Sequence, residues 1–431
     1  MRSSSFFIAI FAFAVAVAGS SCSTNVARGE VANGTHSSFI TETDPELHSA
    51  LALIDKAPDS KMAYNNLAVL YIKRARNTGD FGLYLKAEAA IEKALQVDPA
   101  DGSTRKLQAS LSLTFHRFSE ALGRGTALDR EFPDDAFVKG VLTDAHIELG
   151  NYTEAVAAAQ QMVDLRPNSL SYSRVAQLRS LYGDHKGSVE MYKLAARTAD
   201  PADPEAKSWC LVRLGDEYFK NGDLEAAERS YDEALSLMPQ YHMALAGKGR
   251  NRAALGDLAG AEKILSELVT RIPSPETAAQ LGNIYTLQGD AVRAKAQYDL
   301  VEVIEQKLGP NADQKRLAML WADRDEHLSE ALAIAEKQSV LANDLNTADL
   351  FAWTLYKNGR LVEARAASKR AMRLRGVDAR IIYHAGMIEK GLGNKTEAAR
   401  LLTAAMKLNL AFDLIQSQKA KAAIAELKET R

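Results

Sequence analysis

The stretch from Trp209 to Pro239, WCLVRLGDEYFKNGDLEAAERSYDEALSLMP, places its apolar residues at helical spacing. Leu211, Leu214, Gly215 and Tyr218 fall on one face of a helix. Asn221-Gly222-Asp223 ends it, because glycine tolerates the left-handed cap. Asp223 suits the N-cap of the next helix. Leu224, Ala227, Tyr231 and Ala234 form the inner face of that second helix, and Pro239 stops it. Gly215 and Ala227 are small where two backbones must approach closely. The segment predicts a helical hairpin with one apolar seam. A lone hairpin cannot bury that seam, so it stacks on its neighbours.

The same pattern recurs along the chain. Pro99, Pro133, Pro167, Pro201, Pro239 and Pro273 are separated by 34, 34, 34, 38 and 34 residues. Ala87, Ala121, Ala155, Ser188, Ala227, Ala261, Ala294, Ala331, Ala364 and Ala398 recur at intervals of 33 to 39. Turn glycines keep step at Gly150, Gly183, Gly222, Gly256, Gly289, Gly359 and Gly393. Three rulers agree on one period, which marks a repeat architecture. No strand alternation appears over a useful length. The expectation is an all-α solenoid whose contacts are local, so that stability is a sum over units and interfaces.

A 34-residue helix–turn–helix carrying Leu214-Gly215, Tyr218, Ala227, Tyr231, Ala234 and Pro239 resembles a tetratricopeptide repeat. The resemblance covers roughly residues 45–411, about ten units, and implies a right-handed superhelix. Three copies depart from the pattern. In 61–99, RARNTGDFGLYLK lengthens the connection between the helices. In 102–133, Ser112 replaces the usual aromatic, and 312–343 carries Glu326-His327 in place of the turn glycine. Residues 45–57 read as an unpaired half-unit and 412–431 as a C-terminal capping helix.

The N-terminus changes the picture. Arg2 precedes an uncharged apolar run, Phe6–Ala18, and the small residues Gly19, Ser20 and Ser21 precede Cys22. This order reads residues 1–21 as a signal peptide and resembles a bacterial lipoprotein signal, in which Cys22 becomes lipidated. Gly19 stands where that pattern has an aliphatic residue, and cleavage after Ala18 is the alternative. The run falls short of the ~20 apolar residues of a membrane span. Residues 22–44 are polar and aperiodic and read as a flexible tether with a reach of roughly 25 Å. The expected location is the cell envelope, lipid-anchored in the periplasm, or soluble and exported if Cys22 is not modified.

Charge and chemistry narrow the function. Lys+Arg 53 against Asp+Glu 55 gives a net charge of −2, so no basic field calls for nucleic acid. Two cysteines, Cys22 and Cys210, cannot build a disulfide scaffold or a cysteine metal cage. No pair of histidines is spaced i, i+3 or i+4, and no HExxH, GxSxG or Walker-type loop occurs. Gly247-Lys248-Gly249 lies inside a predicted helix, and the SxxK of Ser103–Lys106 lacks companion motifs. No stretch is left over for a catalytic domain. The reading is a non-enzymatic scaffold without a cofactor or small-molecule substrate, recruiting protein partners or an enzyme or polysaccharide-export complex.

The resemblance implies that the first helix of each hairpin lines a concave groove that receives polypeptide. Carried onto the C-terminal units, its inward positions are Arg316, Leu320, Asp323, Asp349, Trp353, Tyr356, Tyr383, Met387 and Lys390. Aromatics, a methionine and both charge signs suit a polypeptide surface. In mid-array the same positions are Trp209, Val212, Asp216, Phe219, Arg250 and Asn283. The carboxylate clamp of some relatives is not reproduced, since the first unit offers Asn65 and Val69. A basic run, Arg365, Lys369, Arg370, Arg373, Arg375 and Arg380, reads as a solvated face or an anion-seeking surface.

Overall fold

The computed structural model describes residues 44–307, 313–376 and 378–429. Among them lie 22 helices and no strand. The segments expected as signal peptide (1–21) and tether (22–44), Cys22 included, lie outside the described residues except for residue 44. No described helix is long and apolar enough to cross a membrane.

Helix α1 (Pro45–Lys56) stands alone, ahead of ten hairpins. Units 1 to 3 are α2 (Lys61–Thr78) with α3 (Gly82–Val97), α4 (Gly102–Thr114) with α5 (Phe118–Glu131), and α6 (Ala136–Leu149) with α7 (Tyr152–Leu165). Units 4 to 6 are α8 (Ser169–Leu181) with α9 (His185–Thr198), α10 (Pro204–Lys220) with α11 (Leu224–Leu237), and α12 (His242–Ala254) with α13 (Leu258–Arg271). Units 7 and 8 are α14 (Pro275–Leu287) with α15 (Ala291–Lys307), and α16 (Lys315–Arg324) with α17 (Leu328–Leu341). Units 9 and 10 are α18 (Leu345–Lys357) with α19 (Leu361–Ala371), and α20 (Ala379–Gly391) with α21 (Lys395–Leu408). Helix α22 (Gln416–Glu429) packs on α21 and α20 and closes the array.

The periodic residues do what their size requires. Nine of the ten small residues at the 33-to-39 spacing are fully buried in the hairpin seams, and Ala294 keeps only 4% exposure. A Cβ at Gly215 would stand 2.6 Å from the Tyr231 ring, and one at Gly282 2.6 Å from the Tyr298 ring. Asp135, Asp203, Ser274 and Asp344 accept amide N–H groups at the starts of α6, α10, α14 and α18. Where 312–343 lacks the turn glycine, Asp325 and His327 take the left-handed backbone themselves (φ 60 and 43). The lengthened connection of unit 1 is mostly helix. Helix α2 runs 18 residues before Gly79 ends it, against 13 for α12.

The expectation of purely local contacts is corrected by the winding. The end of the first helix in unit 3 meets the start of unit 9. The Leu149 carbonyl accepts the Asn343 N–H at 3.2 Å, and the Tyr152 Oη accepts the buried Leu345 N–H at 3.0 Å. Unit 4 meets unit 10 in the same way, with the Leu181 carbonyl accepting the Gly376 N–H at 3.0 Å. From unit 5, Lys220 Nζ donates to the Gly376 carbonyl at 2.7 Å, and the Phe219 carbonyl accepts from Asn409 Nδ2 at 2.7 Å just before α22. His116, ending the first helix of unit 2, lies within electrostatic reach of Asp313 and Lys315 at the head of unit 8. Partners six units apart, 2 with 8, 3 with 9 and 4 with 10, define the superhelical turn.

The physical reason is the helix C-terminus. Its last four carbonyls lack intrahelical donors, and the second superhelical turn supplies some of them. An apolar cluster seals the seam, joining Ile147, Tyr152 and Ala155 of unit 3 to Leu345, Ala348 and Ala371 of unit 9. The added length of α2 carries Arg76 into an ion pair with Glu205 and Gly79 against the His242 ring, so unit 1 reaches units 5 and 6.

Candidate functional site

The first helices of units 8 to 10 place a diagonal row of side chains on the inner wall. Asp323 lies in the last turn of α16, Trp353 in the second half of α18, and Tyr383 and His384 in the first half of α20. Trp353 Nε1 donates to Asp323 Oδ1 at 2.9 Å. The Trp353 ring stacks on His384 at 4.0 Å and 15° and on Tyr356 at 5.0 Å and 14°. His384 Nδ1 lies 3.0 Å from both carboxylate oxygens of Asp349. Tyr383 Oη donates to Gln416 Oε1 at 2.9 Å, tying the row to α22.

Three residues of the sequence-derived row are corrected by this packing. Trp353, Tyr383 and Asp349 keep 1%, 0% and 1% exposure, so in the chain as it stands they are covered by its own side chains and build the wall. An indole and a phenol are buried where their polar atoms find partners, and here Asp323 and Gln416 are those partners. The other six, Arg316, Leu320, Asp323, Tyr356, Met387 and Lys390, are half-buried. Arg316 pairs with Glu276, and burial pulls its guanidinium down to about 9. Lys390 pairs with Glu426 at 2.7 Å. Burial pushes the Asp323 carboxyl up to about 6, with Asp413 adding repulsion and His384 and Arg380 opposing it.

Period alone would have found a member that the sequence reading missed. Asp349 and His384 are 35 residues apart, one unit, so adjacent first helices bring them together. Arg380 belongs by sequence to the surface basic run, yet it turns inward towards Asp349, 4.0 Å away. The rest of that run disperses. Arg365 pairs with Glu389, Arg370 lies over Phe351, and Arg373 donates to the Gly150 and Asn343 carbonyls across the seam.

The mid-array row is a network of hydrogen bonds and ion pairs. Asp216 accepts from Tyr231 Oη at 2.8 Å and from Arg250 at 2.7 Å, pairs with Arg213, and Arg250 stacks over Phe219 at 4.2 Å. Trp209 and Val212 are core, and Asn283 accepts from Tyr298 Oη at 2.8 Å. Cys210 is fully buried, and burial pushes its thiol up to about 12, so it has no thiolate to offer at neutral pH. Among the described residues no group of three His, Cys, Asp or Glu side chains is arranged to hold a metal ion.

Ten stacked hairpins with small seam residues, eight of them with a glycine turn, make up the array, and a family model described as tetratricopeptide repeat matches residues 212–275. Residues 212–275 are thus similar to tetratricopeptide repeats, and the described array has the tetratricopeptide-repeat fold. No curated relative matches the chain. Among solved structures, a tetratricopeptide repeat protein from Parabacteroides merdae is similar at 20% identity and a TM-score of 0.35, covering 60% of this chain and 98% of that one. The human IFIT1 dimer with m7Gppp-AAAA is similar at 16% identity and a TM-score of 0.50, covering 78% of each chain. At these identities the likeness concerns the fold. Tetratricopeptide repeats of this kind support a scaffold for protein interaction.

Proposed function

We propose that the protein is a non-enzymatic docking scaffold of the bacterial cell envelope, exported and held to the membrane by a lipid on Cys22. Partner polypeptide enters the wound array and lies along the inner wall of units 8 to 10. The observation that carries this reading is the row of half-buried Tyr356, Met387, Leu320 and Asp323, held in place by the buried Trp353–His384 stack beneath it. A wall already ordered in this way spares the array the entropic cost of ordering on binding. The signal-like order from Arg2 to Cys22 supports export and anchoring.

Two variants test the two halves. In photo-cross-linking from native membranes, Tyr356→Ala with Met387→Ala is expected to lose the partner seen with the unaltered chain, at unchanged helix content. Undiminished capture rejects this wall as the docking surface. Cys22→Ser is expected to move the protein from the membrane fraction to the soluble periplasm. Retention in the membrane rejects the lipid anchor, and a soluble unaltered chain favours cleavage after Ala18.

A further inference from the structure

The segment joining unit 10 to α22 is longer than a repeat needs. Met238–Tyr241 and Phe132–Asp135 join successive units with four residues each, whereas 409–415, NLAFDLI, takes seven. The extra length crosses the lumen. Helix α22 begins what would be an eleventh unit, so it stands half a superhelical turn from unit 8, where side chains of an open lumen would not meet. They do meet, through Asp413 and Lys419. Phe412 lies against the Tyr383 ring of the neighbouring unit 10 at 5.5 Å, and Leu414 packs against the core of units 6 and 7 that contains Ala253 and Tyr298. Asp413 lies within electrostatic reach of Asp323, Arg380 and Tyr298. Lys419 Nζ, one turn into α22, donates to the Asp323 carbonyl at 3.2 Å.

The hold on this segment is strong at its ends and weak between them. Asn409 is anchored by its buried bond to the Phe219 carbonyl, and Gln416 by Tyr383 Oη. Phe412, Asp413 and Leu414 are only half-buried, and Leu410 is 67% exposed. The Asp413 carboxylate accepts from the amides of Ile415 and Gln416, at the head of its own helix, and reaches the wall through charge. Phe412 and the Asp413 charge therefore lie on the proposed docking wall, and Leu414 on the adjoining core of units 6 and 7, in a form that can be lifted off.

We propose that residues 410–415 are an intramolecular stand-in for the partner, and that the wall takes an extended peptide with an aromatic, an acidic and an aliphatic residue in succession. This rests on the docking reading above and names its ligand class. Tyr383 and Tyr356 meet the aromatic, Arg380 the acid, and the apolar edge of units 6 and 7 the aliphatic residue. Partner entry displaces the strap, so the closed chain binds more weakly than a chain whose strap has lost its grip.

The test uses the full-length chain and a fluorescent nonapeptide of residues 408–416, LNLAFDLIQ. Phe412→Ser with Leu414→Ser is expected to bind the peptide at least tenfold more tightly than the unaltered chain, and a peptide with serine at both places is expected to bind neither. Equal affinity for the two chains, no binding to either, or indifference to the peptide's own Phe and Leu overturns the proposal. Should the double variant lose its helical signal, Leu414→Ala replaces it. Hydrogen exchange of the unaltered chain with saturating peptide is then expected to quicken at 410–414, and unchanged exchange overturns the proposal. Tyr356→Ala with Met387→Ala reads the docking wall independently, so the strap can fail while that wall stands.

Discussion

Changing one turn glycine to alanine separates the seam between superhelical turns from ordinary turn chemistry. Gly150 (φ +80) and Gly393 (φ +80) occupy equivalent turns of units 3 and 10. Alanine in the left-handed region costs about 1–2 kcal/mol at either place. A Cβ at Gly393 would meet nothing within 4 Å, whereas at Gly150 it would stand 2.4 Å from the Asn343 carbonyl group and 2.7 Å from the Asp344 nitrogen. Backbone cannot yield as a flexible side chain would, so Gly150→Ala must part the turns. Parting them breaks Asn343 N–H to Leu149, Leu345 N–H to Tyr152 and Arg373 to Gly150. At ~1 kcal/mol net for each bond, local opening becomes easier by about 3 kcal/mol, which is ~100-fold. Hydrogen exchange at the Asn343 and Leu345 amides reads this directly. Gly150→Ala is expected to speed both by about 100-fold, while Gly393→Ala leaves them unchanged. Equal rates in the two variants would refute the seam.

Trp353→Ala removes a fully buried indole with its bond to Asp323, and should cost about 3–5 kcal/mol. Its mark is a lower melting temperature, whereas Tyr356→Ala should leave stability within ~1 kcal/mol and show only in binding. Deleting residues 242–275 puts each unit against the wrong partner in the next turn. Small-angle scattering should then report an expanded chain, and a compact, shorter array would contradict the seam. Burial between the turns, with Asp344 facing it and Lys315 opposing, pushes the Glu148 carboxyl up to about 8. The folded state then keeps a proton that the unfolded state releases near its ordinary value. The resulting stability is fully present below the ordinary value of 4.5, falls as pH rises from there, and is lost by about pH 8. His242, held down to about 4 by burial and Arg271, works at the other end, costing stability as pH falls below its ordinary 6.5. Below pH 6.5 the two slopes oppose each other, so melting temperature should fall chiefly between about pH 6.5 and 8, and Glu148→Gln should flatten that fall. An unaltered slope in the variant would reject Glu148 as its source.

The hairpins were legible because their cause is local. Gly222, Asp223, Ala227 and Pro239 each act within a few residues, and the period multiplies the signal. Even the lengthened unit 1 showed its extra residues, though not that they extend α2. The winding was not legible, because no local pattern sets the residues per superhelical turn. Asn343, Gly376 and Asn409 look like ordinary linker residues until their partners, Leu149, Leu181 and Phe219, are brought beside them. The inner row was half legible for a related reason. Helical register says that Trp353, Tyr383 and Asp349 face inward, but whether neighbours then cover them depends on the curvature between units. The basic run from Arg365 to Arg380 shows the same gap: one sequence cluster became a seam staple, a surface pair and an inward charge.

Lumen, strap and seam all require an array wound tightly enough for its second turn to rest on its first. Spin labels replacing Tyr182 and Arg375, both exposed, in a Cys22→Ser background would measure that winding across the contact of Gly183 with Arg375. A single narrow distance of no more than two helix diameters, about 20 Å, is the expected result. A broad distribution centred beyond about 40 Å, four diameters, would mean an open spiral and contradict all three together.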